Sequence, residues 1–214
     1  MLSPKKMTLL FIPAILVVSL ALFVQIIKYK PLFPKIEEKE KTSQFIIPLY
    51  PEDPIIGDKK APITIVSFED FSCGSCIQQI VTLDNLQKKY PNKFKIIWKG
   101  LPLTEFPYSS LEIEKHSYCA NQQKKFEDFK QYAISNSDNL SADILKNISK
   151  EIKLDESKLN KCLNSEEVLA FIEKNKQIAQ ILNVQSLPTF FINNEQITNP
   201  TTEYEWEDVL GLIE

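Results

Sequence analysis

Residues 63–76 read ITIVSFEDFSCGSC: an apolar, β-branched run, two acids, then two cysteines with two small residues between them. From Ala61, the run APITIVSF (61–68) is apolar nearly throughout, as a strand covered on both faces must be, and Pro62 marks its entry. After Gly74 the pattern changes. Ile77, Ile80, Val81, Leu83, Leu86 and Tyr90 recur at helical spacing until Pro91 stops them, and FKIIWKGL (94–101) reads as another strand. Strand, helix and strand within residues 61–101 form a βαβ unit, so the two strands run parallel with a right-handed crossover.

Between about 110 and 183 no strand pattern occurs. Helical stretches run over 111–135, 141–152, 156–163 and 165–182, with Ser141, Asp155 and Ser165 placed as N-caps. Strand character returns at PTFFIN (188–193), a turn falls at Asn193–Asn194, the chain comes back through EQIT, and a short helix from about 203 closes it. The expected fold class is α/β: βαβ, a helical insertion over about 110–183, then ββα.

Composition narrows the chemistry. The net charge of −3 provides no basic field for nucleic acid. All 25 basic residues are lysine, so no guanidinium fork can grip a phosphate. His116 is the single histidine, which excludes a multi-histidine metal site, and four glycines cannot build a phosphate loop. The distinctive chemistry left is sulfur.

Three readings of Cys73-Gly74-Ser75-Cys76 compete: a redox pair, half of a zinc site, or an inert bridge. Zinc sites of this type need a second close pair, whereas Cys119 and Cys162 are isolated in helical surroundings. A bridge across so short a loop removes almost no chain entropy, so it is a poor staple. The redox reading has a physical use for the position. Cys73 sits where unpaired N–H groups and the positive end of the helix dipole favour a thiolate, which is both the nucleophile and the good leaving group of disulfide exchange. Cys76, one turn on, is expected to be buried and to act as the resolving partner. Gly74 and Ser75 are small and uncharged, leaving the first sulfur accessible.

The front of the chain differs. Residues 8–27 (TLLFIPAILVVSLALFVQII) carry no charge and are long enough, at ~1.5 Å per residue, to cross a ~30 Å hydrocarbon core. Cleavage after Ser19-Leu20-Ala21 is one reading. The apolar run continues past it to Ile27, which favours an uncleaved anchor. Flanking lysines are balanced, so orientation rests on the cysteines, which suit an oxidising exterior. The expected organisation is a cytoplasmic N-terminus (1–7), a transmembrane anchor (8–27), a tether rich in charge and proline (28–44) and an extracytoplasmic domain (45–214).

Four segments in order, PEDPIIGDKKAPITIVSFEDFSCGSC, CANQQKKFEDFKQYAI, CLNS and LNVQSLPTFFINN, resemble the DsbA-like branch of the thioredoxin superfamily over about residues 50–195. The resemblance implies a thioredoxin fold with an inserted helical domain, in accord with the layout above. It assigns Pro188 the part of a cis-proline facing Cys73 and Cys76, with Leu187 free to pair with an extended substrate; an ordinary trans proline opening a strand is the plainer reading. It implies a second bridge between Cys119 and Cys162, against two separate buried thiols. It also implies an exported reduced polypeptide as substrate, a quinone-linked membrane reoxidant of the DsbB or VKOR type, and no cofactor. His116 is read as an ordinary helix residue.

Two departures stand out. Six residues before the first cysteine, where such enzymes commonly bury an acid, this chain has Ser67. Glu69 and Asp70 are nearer the pair, Asp70 at a position commonly acidic in the family, but both are read as surface charges at the strand end. Gly74-Ser75 is neither the Pro-His of strong oxidases nor the Gly-Pro of reductases, so a reductase or isomerase of the same fold, and a non-catalytic tethered module, stay open.

Overall fold

ITIVSFE (Ile63–Glu69, β2) lies at the centre of a five-stranded sheet in the order β1-β3-β2-β4-β5. The computed structural model describes residues 4–29 and 45–213, and contacts divide the chain into two units, 1–44 and 45–214. In the second unit β1 (Ile55–Gly57) runs antiparallel to β3 (Phe94–Gly100). β2 pairs in parallel with β3, Ile63 opposite Phe94 through Glu69 opposite Gly100. Between them α2 (Gly74–Lys89) makes the crossover, as the sequence requires. β4 (Thr189–Ile192) lies antiparallel on the other side of β2 and turns through Asn193 and Asn194 into β5 (Glu195–Gln196). Both asparagines have positive φ, +51° and +72°, the geometry that a tight two-residue hairpin needs.

Alternation along β2 sorts its side chains onto two cores. Ile65 packs with Ile80, Leu83 and Leu86 of α2, Phe94, Ile96 and Trp98 of β3, and Phe129 of the insertion. Val66 and Phe68 face the other way, onto Ile178, Ala179, Phe191 and Ile47. Ser67 and Glu69 share the face of Ile65 by the two-residue period.

The insertion consists of α3 (Ser110–Gln122), α4 (Phe126–Ser135), α5 (Ala142–Glu151), α6 (Glu156–Leu163) and α7 (Glu166–Ile181), and α8 (Glu203–Val209) ends the fold. The stretch expected to be one helix over 111–135 is therefore two: the chain breaks at Gln123–Lys125, where Lys124 has φ +60°. Ser141, Asp155 and Ser165 do occupy N-cap positions, but of the three only Asp155 makes the capping bond, to Lys158 N at 2.9 Å. Cys119 and Cys162 form a disulfide joining α3 to α6 within a separate cluster of Tyr118, Leu159, Val168, Phe171 and Ile172.

The segment before β1 is strapped to the domain. Lys99, fully buried, donates to Pro48 O at 3.0 Å and Asp53 Oδ2 at 2.6 Å and lies 4.5 Å from the ring centre of Tyr50; Ile47 N donates to Asn194 Oδ1. Burial works against both charges of this pair, raising the Asp53 carboxyl and lowering the Lys99 ammonium from their ordinary values.

In the first unit residues Pro4–Tyr29 form one helix (α1), with Pro13 inside it. Of its side chains, only those of Pro13, residues 15–26 and Lys28 are described, and these are exposed. Among the described residues no helix is long and apolar enough to cross a membrane. The expected tether lies outside the described residues from Lys30 to Gln44.

Candidate active site

Cys73 is the N-cap of α2. Its sulfur accepts the N–H of Cys76 at 3.3 Å, doing what a serine or aspartate does at other helix starts. Asp70 fixes the approach: its carbonyl accepts Cys73 N at 3.0 Å and its Oδ1 accepts Ser72 N at 2.8 Å. Its other oxygen, Oδ2, receives Leu103 N at 3.1 Å and Thr104 N at 3.3 Å, so one carboxylate ties the turn before the cysteines to the loop after β3.

The two sulfurs differ. Cys76 is wholly buried, while Cys73 is partly open to solvent, and neither is bonded to the other in this structure. The Cys76 thiol, the Ser75 hydroxyl 3.1 Å away and the Cys76 N–H all favour a negative Cys73 sulfur and outweigh its partial burial, bringing the thiol down from 9.0 to about 6. Cys76 moves the opposite way, because it gives its proton toward Cys73, is buried, and could ionise only at a pH where Glu69 is already a carboxylate. Ser75 is more than a small spacer.

Pro188 and Leu187 come to the same place. The Leu187–Pro188 peptide is cis. The Leu187 carbonyl oxygen lies 3.9 Å from Cys73 Sγ and 3.5 Å from Ser75 Oγ, so the backbone before Pro188 borders the reactive sulfur. Asn199 Nδ2 donates to Pro188 O at 2.5 Å and Thr189 Oγ1 to Ser186 O at 2.7 Å, which holds this loop from both sides. Cys119 and Cys162 belong to the insertion's own core and leave the exchange chemistry to the other pair. His116 hydrogen-bonds within its own helix, its Nδ1 2.8 Å from Glu112 O. Among the described residues no group of three or more His, Cys, Asp or Glu is placed to hold a metal ion.

The reading of Glu69 and Asp70 as surface charges is wrong: Glu69 is 1% exposed and Asp70 4%. Both faces of β2 are covered, so a residue at its last position is still inside. Asp70 is saturated by backbone N–H groups, but Glu69 Oε2 has no hydrogen-bond partner. Burial pushes the Glu69 carboxyl up to about 8, with the nearby Ser67 hydroxyl and the Lys130 charge acting against it and the charges of Cys73 and Asp84 adding to it. Glu69 shares its sheet face with α2, and its charge acts on Cys76. The period-two alternation of Ile65, Ser67 and Glu69 was the signal that could have located it: the acid missing at Ser67 stands two residues further along the same face. Glu114, on α3, is a second buried acid, 4% exposed and raised to about 8 by burial; its carboxyl occupies the space where a Cβ on Gly100 would be.

A family model described as "Thioredoxin" matches residues 50–211, which takes in every element from β1 to α8. The chain belongs to the thioredoxin family. Within that family its fold is of the DsbA-like kind. A periplasmic thioredoxin-like protein from Salmonella enterica serovar Typhimurium superposes with a TM-score of 0.66 at 24% identity, covering 76% of this chain and 90% of that one. The thiol-disulfide exchange protein alpha-DsbA2 from Wolbachia pipientis gives 0.66 at 22%, over 75% and 86%. Disulfide bond formation protein D of Bacillus subtilis (strain 168) is 28% identical over 68% of this chain and 70% of its own length. The probable protein of that name from Bacillus anthracis is 26% identical over 77% and 79%. The chain also matches larger proteins. It spans about a quarter of the length of relatives such as the Na(+)/H(+) antiporter NhaA 3 of Salinispora tropica, at 26% identity over 72% of this chain and 24% of that protein.

Proposed function

We propose that this thioredoxin-family protein is a DsbA-like thiol–disulfide oxidoreductase that introduces disulfides into exported polypeptides. One observation carries the reading: a solvent-accessible Cys73 whose thiolate is stabilised, beside a wholly buried Cys76 whose thiolate is not. In the oxidised protein a substrate thiolate attacks Cys73 Sγ, the Cys73–Cys76 bond breaks, and Cys76 departs and takes up a proton. A second substrate thiolate then attacks the substrate sulfur of the mixed disulfide, and Cys73 leaves as the favoured thiolate. The Leu187 backbone, next to Cys73, is where an extended substrate segment pairs. Glu69, protonated at neutral pH and facing the pair, is the group that gives Cys76 its proton and takes it back on reoxidation.

Residues 8–27 anchor the protein in the cytoplasmic membrane, and 28–44 tether a domain held outside. Support comes from the uncharged run itself and from the exposure of its described apolar side chains, such as Val17 at 66% and Leu20 at 64%. The names of the two Bacillus relatives support the direction of the reaction. A quinone-linked membrane enzyme of the DsbB or VKOR type then returns the pair to the disulfide.

Oxidation of a reduced peptide and reduction of insulin by wild type and Cys73→Ser test the chemistry; unchanged activity in the variant overturns it. The direction is read from the reduction potential of the pair. A value toward about −120 mV supports an oxidase, and one near about −270 mV makes the protein a reductase.

A further inference from the structure

Asn199 takes no part in the exchange steps above, yet it meets the reactive site through Pro188. The hairpin explains why. Phe191 pairs with Gln196 in the ladder of β4 and β5, and just past the end of β5 Ile197 N donates to Phe190 O at 3.1 Å. Hydrogen-bonded pairs recur at every second residue of an antiparallel ladder, so the next pair in this register is Pro188 with Asn199. Pro188 has no N–H to give. A side chain makes the bond on this rung instead: Asn199 Nδ2 donates to Pro188 O at 2.5 Å.

From Asn199 the connection continues to the helix that carries the cysteines. Pro200 is buried and its carbonyl accepts Gln79 Nε2 at 2.7 Å; Gln79 stands on α2, one turn beyond Cys76. Gln79 Oε1 accepts Trp206 Nε1 at 2.7 Å, and Trp206, wholly buried, meets Phe190 of β4 edge-on at 4.9 Å. Both polar ends of one α2 side chain are thus committed to the segment that follows the hairpin. One peptide before the Pro188 carbonyl, the Leu187 carbonyl oxygen stands 3.9 Å from Cys73 Sγ. The proline ring fixes φ between these two carbonyls, so a bond that holds the second limits the movement of the first.

We propose that Asn199 is a positioning residue for substrate capture: its amide completes the rung that Pro188 cannot, and so holds the Leu187 backbone in register for an extended substrate segment at Cys73. Pro200 and Gln79 set the distance between that rung and α2. The proposal rests on the reading above that substrate pairs with the Leu187 backbone. Asn199 itself touches no reacting atom. Without its amide the Pro188 carbonyl loses this donor, the segment around Leu187 gains freedom, and a substrate strand has to order it on binding. A thiol with no peptide backbone to pair is indifferent to the change, because the groups that stabilise the Cys73 thiolate belong to Ser75 and Cys76.

The test measures second-order rate constants for reduction of the oxidised full-length protein by three kinds of dithiol. These are a reduced peptide with two cysteines, a series of the same peptide N-methylated at one residue at a time on either side of its first cysteine, and dithiothreitol, which has no amide. Asn199→Leu, close to Asn in size but without a donor, and Asn199→Asp, which sets a carboxylate against the Pro188 carbonyl, are the variants. Both are expected to react about tenfold more slowly with the peptide and at the wild-type rate with dithiothreitol, with the Cys73 titration unmoved. N-methylation of the residue that donates to Leu187 O is expected to slow wild type about tenfold and the variants no further. A wild-type rate with the peptide in both variants overturns the proposal, and so does an equal slowing with peptide and dithiothreitol, the mark of a merely structural role. The N-methylated series separates the two readings. If no member reacts more slowly than the parent peptide with wild type, the pairing reading fails and the role of Asn199 with it; if one does while both variants oxidise the parent peptide as wild type does, only the role of Asn199 fails.

Discussion

Titrating Cys73 and removing the Ser75 hydroxyl tests the asymmetry on which the functional reading rests. With its thiol at about 6, Cys73 is about 90% thiolate at pH 7, against about 1% for a thiol at the ordinary 9.0. That gain of about 90-fold in thiolate does not become a 90-fold gain in attack. A thiolate loses nucleophilicity as its proton affinity falls, with a Brønsted slope of about 0.4–0.5, which over this difference costs about 20-fold. The net advantage in attack at pH 7 is therefore only about fourfold, growing to about 40-fold at pH 5. The larger benefit lies in Cys73 as a leaving group. Absorbance at 240 nm and the rate of iodoacetamide alkylation, both followed against pH, should share a midpoint near 6. Ser75→Ala removes a hydroxyl 3.1 Å from the sulfur. Because that contact is exposed, the expected rise of the midpoint is about 0.5 to 1. A wild-type midpoint near 9, or a Ser75→Ala midpoint identical to wild type, would refute the account of what stabilises the thiolate.

Three other outcomes follow from buried groups. The Glu69 carboxyl is raised in the folded protein, so its contribution to stability is present below about 4.5 and lost as pH rises toward about 8. Between pH 4 and pH 7 wild type should lose up to about 3 kcal/mol that Glu69→Gln keeps, as read by urea titration of the reduced protein at each pH. Replacing Cys119 and Cys162 together by Ser opens a loop with a sequence separation of 43 and should lower the unfolding free energy by roughly 4 kcal/mol, while the Cys73 titration stays in place. Gly100→Ala puts a Cβ into the Glu114 carboxyl and should cost about 1–3 kcal/mol in thermal or urea unfolding; an unchanged midpoint would mean that Glu114 moves freely.

The layout was legible because its signals are local. β-branched runs bounded by proline, a helical period stopped by Pro91, and the Asn193–Asn194 pair each identify one element without reference to the rest. β1 escaped because Ile55–Gly57 is too short to show a period and exists only through its pairing with β3. The break at Gln123–Lys125 escaped because no glycine or proline marks it; Lys124 takes a left-handed conformation that sequence does not reserve for lysine. In the site, the cysteines and Pro188 were legible as motif. Glu69 was not, since burial of a charge depends on which elements cover it.

The strap around Lys99 has a mechanical side. Tension applied to the chain ahead of residue 45 enters the domain through Ile47, Pro48, Tyr50 and Asp53, all gathered onto one side chain of β3 or onto the hairpin between β4 and β5. Lys99 and Ile47 lie on the face of the sheet opposite to the one carrying Glu69 and α2. A pull must therefore unpeel this clasp before it disturbs the cysteines.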